Sequence, residues 1–245
     1  MAIKKAHLQF YREIFDIPHF LSEPCLMFGF QDVVGEDLPE DFRFKNGKDL
    51  LISKGVKDIQ TLDFFDNRAD LRYDMNIPIP ESLNEKYSLF LDIGCLEHLF
   101  DTKQCLENCL RMVRLGGFYM LQTVINGYFR HGLHVFNPEG LINVLKANNF
   151  EVLYLKYSLS SGLAIDNPSL GGDVLIWIVA KKIRSINNIT LPQQQIWVEF
   201  QENQESGKKI IPARRNLKSF IYRILCIAWR PLACLKERIK KNLQI

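Results

Sequence analysis

No two of the six cysteines, at 25, 95, 105, 109, 226 and 234, form a CxxC pair, so the paired thiols of a zinc cluster are missing. Most stand inside apolar runs, where cysteine behaves as a small hydrophobe, and Cys105 and Cys109 sit four apart on one expected helix face. This usage fits a reducing, cytoplasmic compartment. No GxGxxG turn follows the first apolar run, which weighs against a nucleotide-dependent oxidoreductase. The amino terminus, MAIKKAHLQFYREIF, lacks the continuous apolar stretch of a secretory leader. An excess of one charge is also missing: 31 Lys and Arg face 28 Asp and Glu, and a net charge of +3 does not mark a nucleic-acid binder. Phe220 to Trp229 falls far short of the ~20 apolar residues that span a bilayer, and Arg223 interrupts it.

What is present is enough apolar material, 47% of 245 residues, for one substantial core with a small appendage. In KAHLQFYREIFD the apolar positions Leu8, Phe10, Tyr11, Ile14 and Phe15 fall at helical spacing, which predicts a covering helix within an amino-terminal segment 1–24. CLMFGFQD, DIQTLDFF, ADLRYDMN, YSLFLDIG, GFYMLQTVI, FEVLYLKYSL and GGDVLIWIVAKK read as seven strands. Helices are expected over KDLLISKGV, after Asp101 with Gln104 three residues on, and after Asn137 with Pro138 at the first helical position. Gly116 and Gly117 should end the second of these. The last two strands have no room for a crossover helix between them and should pair antiparallel.

The expected fold is therefore a doubly wound α/β sandwich with a seven-stranded, mostly parallel sheet and one antiparallel strand, over residues 25–183. In such sheets ligands sit at the carboxyl ends of the strands, so Gly29, Asp63, Asp74 and the turn from Asp92 to His98 should converge.

The stretch YSLFLDIGCLEHLFD, followed by CLRMVRLGGFYMLQTVIN and HVFNPEGLINVLKANNFEV, resembles the class I S-adenosylmethionine-dependent methyltransferases. The resemblance covers roughly Cys25 to Lys182, and the Gly-x-Gln-Asp ending of the first strand is similar to a branch associated with bacterial polysaccharide and small-molecule decoration. It implies a Rossmann-like fold with S-adenosyl-L-methionine as cofactor. Gly29, Phe30 and Gln31 would form the first cofactor loop, Asp63 would take the ribose hydroxyls, Asp74 and Met75 would flank adenine, and Asp92, Gly94 and Cys95 would pass under the methionine part. A carboxylate, with two oxygens and no donor, suits two vicinal hydroxyls. Turn-forming roles for Asp63 and Asp74 remain open beside these. The loop departs from the usual Gly-x-Gly-x-Gly pattern, offering Gly29 and then only Gly35.

Methyl transfer from a sulfonium needs alignment and a base, and the candidates are His98 and His131, with Asn126, Tyr128 and His134 as acceptor-binding residues of the loop that follows. Some relatives bind a divalent cation at a Glu-x-x-Glu-His turn plus a later histidine. Glu97, His98 and His131 match three of those positions, and Gly94 stands where the first glutamate would be. Structural roles for the histidines, as turn caps or packing groups, stay open. The segment 184–245 contains a polar linker at 203–209 and, from Ile211, nine arginines and lysines interleaved with apolar residues. A basic amphipathic helix there could pack on the domain, lie on a membrane surface or dock on a partner. Two functions follow: a methyltransferase for oxygen or nitrogen of a small polar acceptor, such as a sugar, sugar nucleotide or capsule-type precursor, and a catalytically silent module that binds through its basic tail.

Overall fold

The computed structural model describes residues 2–166, 168 and 172–192. The expected basic helix beyond Ile211 and the linker at 203–209 lie outside them.

The chain starts with a short strand β1 (Ala2–Lys4), a 3-10 turn and helix α1 (Leu8–Phe15). Strands β2 (Cys25–Phe28), β3 (Asp32–Val34), β4 (Ile59–Leu62), β5 (Tyr87–Ile93), β6 (Val113–Asn126), β7 (Phe150–Leu159), β8 (Ala164–Ile165) and β9 (Val174–Lys182) follow, with α2 (Gly47–Ser53), α3 (Thr102–Met112) and α4 (Pro138–Ala147) between them. One sheet has the order β4-β2-β5-β6-β9-β7-β8, and β1 pairs with β3 in a second, two-stranded sheet.

The main sheet is mixed, not mostly parallel. β4, β2, β5 and β6 are parallel neighbours, whereas β9 is antiparallel to both β6 and β7, and β8 is antiparallel to β7. Two strands rather than one therefore run against the rest. Between β7 and β9 the chain makes β8, which folds back on β7, and among the described residues no crossover helix of the kind a parallel return uses.

A second correction concerns ADLRYDMN, which makes only the single bridge Leu62–Leu71. Its side chains compete for the backbone. Asp70 accepts from the amide and hydroxyl of Thr61, and Asp74 accepts from the amide of Asn76, so local polar contacts replace a ladder. The seventh strand is instead the two-residue β8.

The sheet separates two apolar layers. Along β5 every residue is buried; Leu89, Leu91 and Ile93 face α1 and α2, and Phe90 faces α3 and α4. On the first side α1 lies on Trp177 of β9, which stacks on Phe10 at 4.8 Å and meets Tyr11 edge-on at 5.3 Å. Such ring pairs add about 0.5–1.5 kcal/mol each beyond area burial.

Helices α3 and α4 begin as their caps dictate: Asp101 accepts from the Gln104 amide, and Asn137 accepts from the amides of Glu139 and Gly140. Helix α3 stops at Met112, ahead of the glycine pair, and passes directly into β6. Gly116 and Gly117 form a bulge in that strand, where a side chain at 117 would lie 2.9 Å from the Ser88 carbonyl. Buried Lys182 fixes this junction, donating to the carbonyls of Leu110 at 3.2 Å and Val113 at 2.7 Å and pairing with Glu85 at 3.2 Å. None of the described helices is long and apolar enough to cross a membrane.

Candidate functional site

The parallel strands β2, β4, β5 and β6 all deliver their carboxyl ends to one edge, and the site is built from what each end carries. Near the end of β5, Asp92 is fully buried. One oxygen accepts from the amides of Cys95 and Leu96, capping the short turn Leu96–His98, and the other accepts from the Tyr119 hydroxyl at 3.1 Å. Burial, with Glu97 nearby, pushes its carboxyl up to about 7. Gly94, at φ +72°, supplies the reversal that brings the turn back over the strand.

Gln31 fills the gap between the ends of β2 and β5. Its amide nitrogen donates to the carbonyls of Phe28 and Ile93, each at 3.1 Å, and the Cys95 thiol donates to the same Phe28 carbonyl at 2.8 Å. The amide oxygen Oε1 is buried with no partner among the described residues. That orientation is set by the two carbonyls, which accept from a nitrogen and would repel an oxygen.

Glu97 is the hub of the second cluster. It is 1% exposed, accepts from the Thr123 hydroxyl at 2.8 Å, and has its carboxyl pKa raised by burial. Its backbone carbonyl accepts from the amides of Leu133 and His134 at 2.8 and 3.1 Å. These bonds stitch the loop after β6 to the turn after β5. His131 Nε2 lies 4.0 Å from Glu97 Oε1, and the His98 and His131 rings stand 5.1 Å apart. Burial, and then the neighbouring His131, lowers the pKa of His98 and keeps it neutral.

The loop that carries His131 is held in an uncommon shape. Tyr128 and Arg130 both have positive φ, at +52° and +66°. Asp173 accepts from the Tyr128 amide at 2.8 Å, and any side chain at Gly127 would collide with Asp173. A side chain at Gly132 would come within 2.8 Å of the Glu97 carbonyl. The chain is thus laid tightly across Glu97.

The remaining expected residues are placed as follows. Asp63 ties the first loop to the end of β4, accepting from the amides of Phe30, Phe65 and Asp66. The Phe30 ring lies under the Arg68 guanidinium at 4.1 Å. Asp74 closes its own turn by accepting from Asn76, and Met75 is buried with its carbonyl bound by Asn108. Asn126 donates to the Gly172 carbonyl, and the His134 ring meets the Phe100 carbonyl at 3.2 Å. The structure therefore gathers Gln31, Asp92 and Cys95 in one knot and Glu97, His98 and His131 in another. Asp74, Met75, Asn126 and His134 make scaffold contacts around them.

Thr123, Tyr119, Gly132 and Asp173 hold the site and were not singled out from the sequence. Only Thr123 had a signal there, as a polar residue beside Gln122 inside the apolar run of β6.

One carboxylate oxygen and two imidazole nitrogens, from Glu97, His98 and His131, lie within 4.8 Å of one another. This is the one such group among the described residues, and its donors, one hard oxygen and two nitrogens, suit a borderline divalent ion better than magnesium.

No protein-family model matches the chain, and no curated protein does. Among solved structures, the chain is similar to a 1,6-didemethyltoxoflavin-N1-methyltransferase of Burkholderia thailandensis, which was crystallised with 1,6-didemethyltoxoflavin and S-adenosylhomocysteine. Identity is 16%, with 71% of this chain and 78% of that one covered and a TM-score of 0.44. It is also similar to the [4+2]-cyclase SpnF, at 13% identity, 64% and 73% coverage and a TM-score of 0.38. A third is the methyltransferase MycE of mycinamycin biosynthesis, crystallised with Mg and S-adenosylhomocysteine. It is 12% identical with a TM-score of 0.38; the alignment covers 82% of this chain and 55% of MycE.

Proposed function

We propose that the chain is an S-adenosylmethionine-dependent methyltransferase acting on an oxygen or nitrogen of a small polar acceptor, of the sugar, sugar-nucleotide or capsule-precursor kind. One observation carries the reading: His98 and His131 stand side by side against a buried carboxylate at the carboxyl ends of the two central strands. The acceptor class leans on the Gly-x-Gln-Asp stretch, Gly29 to Asp32, that follows β2.

The groups around the first knot fit such a cofactor by their chemistry. Gln31 Oε1 is a buried acceptor without a donor, and Asp63 keeps lone-pair capacity after its three amide bonds. Hydroxyl and ammonium donors match both. Gly29, at φ +77°, has no Cβ to shield the backbone. Gln31, Asp63 and Gly29 would hold the cofactor, which supplies a methyl group on a positively charged sulfur.

The protein's own part is alignment and proton removal. With Nε2 turned toward Glu97, His131 has Nδ1 left to accept the proton that the acceptor loses as it takes the methyl group. His98, kept neutral, does not compete as a charge beside it. Asp173 and Glu97 fix the loop so that the imidazole meets the acceptor in one orientation.

A second reading, the catalytically silent module, is favoured by Gln31, whose side chain already occupies the gap between β2 and β5. Calorimetric titration with S-adenosylmethionine separates the two. Saturable heat, followed by transfer of label from the cofactor to a metabolite in extracts of the source cell, supports the enzyme; absence of heat gives the silent module.

A further inference from the structure

Four apolar side chains on the two loops that frame Glu97 stand out of the fold: Phe100 is 81% exposed, Phe129 89%, Leu133 61% and Val135 54%. Singly such residues are ordinary, but these belong to loops joined by the Glu97 carbonyl and by the contact of His134 with Phe100, so they make one patch. Arg130 lies 5.3 Å from the Phe129 ring centre and has no acid partner among the described residues.

The patch is small and lies on loop tips. Its four side chains offer roughly 500 Å², by the usual size of buried aromatic and aliphatic groups, against about 800 Å² per partner in a stable protein interface. A lipid surface needs no matching shape. Phenylalanine rings enter the boundary between headgroups and acyl chains, while a guanidinium meets the phosphates. The same chain carries nine basic residues and one acidic residue between 211 and 245, a net of 9 − 1 = +8. One weak attachment to a bilayer is marginal and reversible, and two together hold.

We propose that the loops bearing Phe100, Phe129, Arg130, Leu133 and Val135 form a docking face for an anionic lipid bilayer, which sets the Glu97, His98 and His131 site at headgroup level. This stands apart from the methyl-transfer reading, since docking requires no cofactor.

Full-length protein is sedimented with vesicles of phosphatidylcholine containing phosphatidylglycerol. Wild type partitions to the vesicles, F100S/F129S partitions at least about tenfold more weakly, and F100W/F129W binds as well as wild type, because indoles serve an interface at least as well as phenyl rings. Four outcomes overturn the proposal: wild type that stays in solution; F100S/F129S that binds like wild type, which leaves the tail as the sole anchor; F100W/F129W that loses as much as F100S/F129S; and lipid-free self-association of wild type that F100S/F129S abolishes, which gives the patch to a second copy.

Discussion

His131 faces the carboxylate of Glu97 across 4.0 Å, and the same Glu97 receives the His131 loop through its backbone carbonyl. One residue thus both shapes the loop and sets the electrostatic surroundings of the imidazole. Glu97→Gln keeps the size and the Thr123 bond but removes the charge, so methyl transfer from labelled cofactor should fall about 100-fold, as should transfer by His131→Ala, the usual range for a lost general base. Unchanged turnover in both would remove the base assignment.

Gly132→Ala tests the loop without replacing a titratable group. The added methyl group meets the Glu97 carbonyl at 2.8 Å and the Cγ and Cβ of the same residue at 3.0 and 3.2 Å, and the buried Glu97 has little room to yield. We expect transfer to drop by at least about tenfold, as small misplacements do, while the unfolding midpoint moves by only a few degrees. A large fall in midpoint would show that the loop supports the whole fold.

Asp92 makes stability depend on pH in a defined direction. Its carboxyl is raised to about 7 in the folded chain, against an ordinary value near 4. The protonated form is thus favoured by folding, and its contribution is complete below about pH 4 and lost as pH rises through about 7. Asn at this position can accept from Cys95 and donate to Tyr119 without titrating. Denaturant unfolding between these pH values should show wild type losing up to about 4 kcal/mol relative to Asp92→Asn; parallel curves would refute the buried-acid account.

Lys182→Met leaves the carbonyls of Leu110 and Val113 without their donor and removes the cation paired with Glu85 at the rim. The cost should be about 2–4 kcal/mol, read as a lower midpoint in urea with unchanged slope.

The sequence made some of this plain and hid the rest for physical reasons. The apolar run of β5 and the caps at Asp101 and Asn137 are local signals, and the structure uses them where they stand. ADLRYDMN has the composition of a strand, but the Asp70 contacts with Thr61 become visible only when β4 lies beside it. The reversed direction of β9 followed from the lack of a crossover helix in the segment before it, whereas the pairing of β8 with β7 involves too few residues to carry a pattern. The clustering of Glu97 with His98 was adjacent in sequence, and the approach of His131 was an expectation of topology. Gln31 as a bridge between two strand ends had no signal, because its partners are backbone carbonyls.

β9 enters the sheet amino end first, beside the carboxyl end of β6, and this places Asp173 against the loop of His131, 45 positions back from it in the case of Tyr128. The candidate site is therefore completed at the last of the described strands. A nascent chain halted before Asp173 carries every candidate residue yet lacks the carboxylate that clasps the His131 loop.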